Sequence, residues 1–169
     1  MKALILLLLV TLNISAQTPA ITPRRPLGVP ADARHFNGRW YKVVLEKKSW
    51  HAARDKCKDM GGQLVTVPDA PTWEFVKTLT TASVWLGATD EVTEGVWVWV
   101  DGSPVAFSAW YPGQPDNSGS AEHFIAVYKN AWADVPKSGT VGALFQVQGF
   151  ICEWRGVYPK GLTPQPTTH

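Results

Sequence analysis

Cysteine is scarce in this chain. Its 169 residues hold only Cys57 and Cys152. No zinc-ligand spacing of Cys and His is present, so a structural zinc site is excluded. Long apolar runs are missing beyond the first ten residues, and nothing after them is built to cross a bilayer. Charge of one sign is missing too: 16 basic against 14 acidic residues leave a formal charge of +2. The basic residues Lys42, Lys47, Lys48, Arg54, Lys56 and Lys58 are interleaved with Glu46, Asp55 and Asp59. That pattern reads as a solvated face, not as a nucleic-acid stripe. The histidines are His35, His51, His123 and His169, and no pair has the spacing of a helical metal site. No nucleophile, base and orienting group fall into a recognisable constellation, so the expectation is a binding protein and not an enzyme.

What is present begins with MKALILLLLVTLNISAQ. Lys2 precedes an apolar run that is too short to span a membrane. This reads as a secretory signal peptide over residues 1–16, with Ala16 and Ala20 both available as the last residue removed. The expected location is therefore secreted, extracellular or periplasmic. Residues 17–34 hold four prolines and read as a proline-rich linker. One globular domain follows over residues 35–154, with a flexible tail over 155–169. An exported chain with two cysteines invites one disulfide, Cys57 to Cys152. Closing a loop of about 100 residues is worth roughly 4.7 kcal/mol in the chain-entropy account.

FNGRWYKVVLE reads as a strand, with Tyr41, Val43 and Leu45 on one side. Ser49 is placed to cap a helix whose apolar face is Trp50, Ala53, Cys57 and Met60, and Gly61-Gly62 ends it. Asp69 caps a second helix to about Leu79, with Trp73, Val76 and Leu79 inward. The period then changes. SVWLGAT, VWVWV, FIAVY and GFICEW read as strands, with Asp101-Gly102 as a turn. The fold class is α+β, with helices first and a largely antiparallel sheet after them. Trp85, Trp97, Trp99 and Trp154 lie in strand-like runs and are assigned to the core, while Trp110 and Tyr111 are surface candidates.

Between Asp101 and Glu122 little regular structure is expected, and a loop that long in a compact domain is functional or disordered. Its WYPGQPDNSGSAEHF segment carries Gln114, Asp116, Asn117 and Glu122 among turn formers. Two readings stand: a solvated loop, or a loop offering hard oxygen ligands to a cation such as Ca2+. Asp90, Glu91 and Glu94 add a second acidic group just after an apolar run. Carboxylates brought together repel, and a divalent cation removes that penalty.

WLGATDEVTEG, VWVWVDG, WYPGQPDN, Glu122, the Trp132-Ala133-Asp134 triplet and GFICEW, in this order and spacing, resemble the C-type lectin-like domain. The likeness runs from about His35 to Trp154. It implies two helices flanking a mainly antiparallel sheet, a long calcium-binding loop region, and an outer disulfide between Cys57 and Cys152. The family's inner disulfide is missing: its first position matches Phe124, and its second matches Lys137 counted forward or Leu144 counted backward. In carbohydrate-binding members the resemblance assigns the sugar- and calcium-binding residues to Gln114, Asp116, Glu122 and Asp134. Ala133 stands where such members carry Asn. An auxiliary calcium site falls on Asp90, Glu94, Asn117 and Glu122, with His123 where an acid often sits. The Gln-Pro-Asp order is similar to that of galactose-binding members, although residues 118–121 offer no aromatic platform. Pro115 is expected to be cis. The implied function is calcium-dependent binding of a glycan or glycoprotein. The alternative is a lectin-like domain for protein interaction, with calcium structural or absent. Neither reading involves nucleic acid or a membrane span, and the oligomeric state is left open.

Overall fold

The computed structural model describes residues 25–156. The expected signal peptide, the first part of the expected linker and most of the expected tail lie outside the described residues. No helix among those described is long and apolar enough to cross a membrane.

The chain opens with a hairpin. Strands β1 (Arg34–Phe36) and β2 (Arg39–Val44) pair antiparallel. Asn37 and Gly38 both take left-handed conformations, with φ of 44° and 78°. An Asn-Gly pair suits the two-residue turn that matches strand twist. The single strand expected over FNGRWYKVVLE is therefore two strands, and Leu45 falls outside them, 65% exposed. Packing also reaches back before His35, since Val29 and Ala33 are buried against the core.

Helix α1 (Trp50–Asp59) starts where Ser49 Oγ accepts the Ala52 amide at 3.3 Å. It buries Trp50, Ala53 and Cys57. Past it, Gly61 at φ 75° turns the chain, and the Gly62 amide donates to the Cys57 carbonyl. Short strand β3 (Gln63–Leu64) follows. Helix α2 (Ala70–Lys77) is capped by Asp69, which accepts the Thr72 amide at 2.8 Å. It buries Trp73 and Val76, and it stops at Thr78, just short of Leu79.

The remaining strands are β4 (Val84–Thr89), β5 (Val98–Trp99), β6 (Phe124–Tyr128), β7 (Ala131–Val135), β8 (Thr140–Val141), β9 (Phe145–Gln146) and β10 (Gly149–Arg155). The main sheet runs β1-β2-β10-β4-β6-β7, with β3 on β10 and β5 on β4. Only the β10–β4 pair is parallel. The architecture is the expected α+β fold, two helices with a mixed sheet. The last strand, β10, pairs directly with the early strand β2, so Arg155 lies opposite Arg39. The Cys57–Cys152 disulfide, Cα–Cα 5.5 Å, ties α1 to β10.

The core lies in two clusters. One holds Trp50, Cys57, Trp85, Phe124 and Phe150; the other holds Tyr41, Trp73, Trp99, Ile125, Trp132 and Ile151. Trp132 is fully buried and meets Trp73, Trp99, Phe107 and Trp110 edge-on, with centroids 5.7–5.8 Å apart. Trp110, a surface candidate by sequence, is thus packed against this hub and against Trp97 at 5.1 Å. The VWVWV run forms strand only at Val98–Trp99. Between residues 101 and 122 regular structure is confined to isolated bridges and the 3-10 turn Ser118–Ser120.

Candidate functional site

The long loop is fastened to the sheet before it reaches its polar tip. The Trp132 amide donates to the Ala109 carbonyl and the Tyr111 amide to the Trp132 carbonyl, each at 2.8 Å. The Gln114 amide then closes a turn onto the Tyr111 carbonyl at 2.8 Å, and the Gln114–Pro115 peptide is cis. These contacts set Gln114 beside β7. The Asp134 amide, on that strand, donates to Gln114 Oε1 at 3.1 Å. The Asp134 carboxylate accepts the Asp116 amide at 3.1 Å and the Asn117 amide at 2.7 Å. Asn117, left-handed at φ 44°, accepts the Glu122 amide on its side-chain oxygen at 3.1 Å.

Side-chain oxygens of Asp116, Glu122 and Asp134 lie within 4.8 Å of one another. Glu122 and Asp134 are buried, 4% and 2% exposed, whereas Asp116 faces solvent. Burial first, then the charges of Asp134 and Asp116, push the Glu122 carboxyl up to about 7. Burial also raises Asp134, with the Asn117 and Asp116 amides opposing it. Four residues singled out from sequence, Gln114, Asp116, Glu122 and Asp134, therefore converge. Gln114 Oε1 still has a second lone pair beyond the one facing Asp134.

A second group comprises Asp90, Glu94 and His123, again with ligand atoms within 4.8 Å. His123 Nδ1 lies 3.2 Å from Asp90 Oδ1 and 3.3 Å from Glu94 Oε2. Asp90 is 2% exposed, and its Oδ2 accepts the Gly95 amide at 2.8 Å. Asp90 and Glu94 thus gather round His123, while Glu122 gathers with Asp116 and Asp134, and Asn117 holds the Glu122 amide. Glu91 instead meets His51 at 2.9 Å. Ala133 is 7% exposed, sits opposite Ala126, and packs in the first core cluster.

Sequence reasoning passed over a third constellation, away from both acidic groups. Glu153 is buried, and its Oε1 accepts from Arg39 at 2.7 Å, Gln63 at 2.8 Å and Thr66 at 3.0 Å. The sole signal was register: Glu153 sits opposite both Tyr41 and Gln63.

Comparison with known proteins agrees with this architecture. Residues 46–144 match the family described as Lectin C-type domain. A perlucin-like protein of Mytilus galloprovincialis is 34% identical over 119 residues, covering 65% of this chain and 76% of that protein. The hepatic lectin of Gallus gallus is 36% identical over 105 residues, covering 60% of this chain and 51% of its own, so the chain spans about half of that relative. Among solved structures, the mouse scavenger receptor C-type lectin carbohydrate-recognition domain superposes with a TM-score of 0.67 at 30% identity, covering 77% of this chain and 98% of that one. Fold, disulfide and family match coincide: the chain belongs to the C-type lectin domain family and is a non-catalytic C-type lectin-like domain.

Proposed function

We propose that this protein is a secreted calcium-dependent carbohydrate-binding module, of galactose type by its Gln114-Pro115-Asp116 order. The observation that carries the reading is the convergence of Gln114, Asp116, Glu122 and Asp134 at the tip of the long loop. Their donor set is all oxygen, which is the chemistry of a hard cation. Three carboxylates held this close repel one another, and a divalent ion offsets that repulsion. A relative called hepatic lectin and a structure called a carbohydrate-recognition domain support the reading.

The division of labour follows from the chain's own groups. Asp134 holds the Asp116 and Asn117 amides and so fixes the loop's shape. Gln114 is locked to β7 through its amide oxygen, leaving its amide N–H groups to donate to a sugar hydroxyl. Asp116, exposed, accepts from a second hydroxyl. Bound Ca2+ supplies coordination to vicinal hydroxyls. The auxiliary calcium site is proposed on Asp90, Glu94, Asn117 and Glu122, with His123 a poor ligand for a hard cation. A single shallow site of this kind binds weakly, and several copies on one surface gain avidity.

Ala133 favours a second reading, a lectin-like domain for protein interaction with calcium structural or absent. It offers no side-chain oxygen where sugar-binding relatives have Asn. A glycan array with calcium and with chelator separates the two. The lectin reading expects a calcium-dependent signal that Asp116→Ala abolishes. Ala133→Asn should strengthen it by adding an oxygen ligand. Ala133 packs in the core, so melts of that variant run alongside. Calcium binding by calorimetry with a blank multivalent array favours the second reading.

A further inference from the structure

A cleft of about 390 Å3 shares no residue with either acidic group. It is lined by Asn37 and Gly38 of the β1–β2 turn, Arg39 and Tyr41 of β2, Pro68 and Thr72 at the start of α2, and Arg155 and Gly156 at the end of β10. That volume falls in the range of small-molecule sites.

Its polar groups are placed but not used up. Arg39 bonds Glu153 at 2.7 Å and Thr66 at 2.6 Å, both through Nη1. Its Nε and Nη2 edge has no partner among the described residues. That edge of a guanidinium is the one that takes a carboxylate bidentately. The buried Glu153 anchors the other side, so the fork is held in place before any ligand arrives. Arg155 is 73% exposed, and its Nη2 stays 3.6 Å from Asp101, outside hydrogen-bond reach. Asp101 is itself held by the Ser103 amide and hydroxyl, at 3.0 and 2.6 Å.

Two further cleft residues carry hydroxyls with no hydrogen-bond partner among the described residues, and neither oxygen is sealed from solvent. Tyr41 is 1% exposed and Thr72 3%. Burial, with Glu153 nearby, holds the Tyr41 phenol above its usual range, so it stays a donor. Both hydroxyls are therefore free to bond a polar ligand in the cleft.

We propose that this cleft is a second binding site, for a carboxylate carried on a body of monosaccharide size. The carboxylate lies on the free edge of Arg39 and against Arg155, and Tyr41, Thr72 and the Asn37 amide contact the rest of the ligand. Glu153 and Asp101 offset part of the positive charge, so recognition rests on hydrogen-bond geometry more than on field strength. The site needs no calcium and stands apart from the sugar-binding reading of the long loop.

The test is a two-dimensional NMR titration of the full secreted chain in chelator. Methyl glucuronide, neutral methyl glucoside and an N-acetylated dipeptide with a free C-terminus are the three probes. The acidic sugar or the acidic peptide should shift the Gly38 and Gly156 amides saturably, and whichever does so names the source of the carboxylate. Methyl glucoside should leave them in place. Arg155→Gln, at an exposed position, should weaken binding about tenfold. Tyr41→Phe, which keeps the ring, should weaken it as well, while Asp116→Ala should change nothing. No saturable shift with either acid, an equal shift with the neutral glucoside, or loss of binding on Asp116→Ala overturns the proposal.

Discussion

Glu122 is the residue at which charge and burial conflict most directly. Its carboxyl is pushed up to about 7 by burial and by two neighbouring carboxylates. Below about pH 4.5 it is protonated in both folded and unfolded chains, and the folded state carries no penalty there. Raising the pH through about 7 forces a buried charge against Asp116 and Asp134, so this group's contribution to stability is lost across that window. Asp134, also raised, acts in the same sense. In chelator, thermal melts should therefore show a Glu122-dependent fall in stability between about pH 4.5 and pH 7. Glu122→Gln should flatten it, and equal slopes for both proteins would remove burial at Glu122 as the cause. The groups of the candidate site were legible because Gln114, Asp116 and Glu122 sit in one short segment whose order resembles a known family. The Arg39–Glu153 pair was not legible. Its partners are 114 residues apart, and only strand register brings them together.

Among the elements, two joins differ in kind, one aromatic and one covalent. Phe124 stands where the resemblance puts the first inner cysteine, yet it is no gap. It is 2% exposed and packs on Trp50 at 5.0 Å, His51 at 5.2 Å and Trp85 at 6.5 Å. Aromatic packing at the head of β6 thus replaces a covalent tie at the base of the long loop. Phe124→Ala should cost about 3–5 kcal/mol in denaturant unfolding. The outer tie is covalent: Cys57 and Cys152 are 95 residues apart in sequence and join α1 to β10. Cys57→Ala should lose about 2–5 kcal/mol by the same measurement, less where the unfolded chain is already compact. Two free thiols by mass spectrometry of the unreduced protein would contradict the pairing. Both helices were legible because their caps, Ser49 and Asp69, precede apolar residues at helical spacing. The hairpin was missed, although Asn37-Gly38 is a strong turn signal, because the apolar residues after it read as one continuous strand. Trp110 proved half-buried and not free at the surface, for a different reason. Its packing depends on Trp132, and sequence spacing does not show a hub built from four separate segments.

At the scale of the whole molecule, one sheet supports two regions of different character. Where β2 and β10 pair, the end of β10 is fastened to the β1–β2 turn by the Gly156 amide on the Gly38 carbonyl at 2.7 Å. The long loop has no disulfide, and its tip is held by single hydrogen bonds among groups that repel when ionised. An ion that binds only the folded arrangement stabilises the folded state by mass action. At free calcium a hundredfold above its dissociation constant, that gain is about 2.7 kcal/mol. For a domain of this size it corresponds to a rise in Tm on the order of 10 °C. The rise should be concentration-dependent, reversed by chelator, and smaller at pH 5, where Glu122 is protonated. Asp116→Ala and Asp134→Asn should each suppress it. Asp134→Asn should also lower the calcium-free Tm, because its carboxylate accepts two loop amides. Asp116→Ala, which removes one of the charges that repel Glu122, should not lower that baseline. This difference between the two variants separates loss of the ion from loss of the loop. A Tm that does not move at millimolar calcium would remove the ion from both the sugar-binding and the structural reading, and return the loop to a solvated turn held by Asp134.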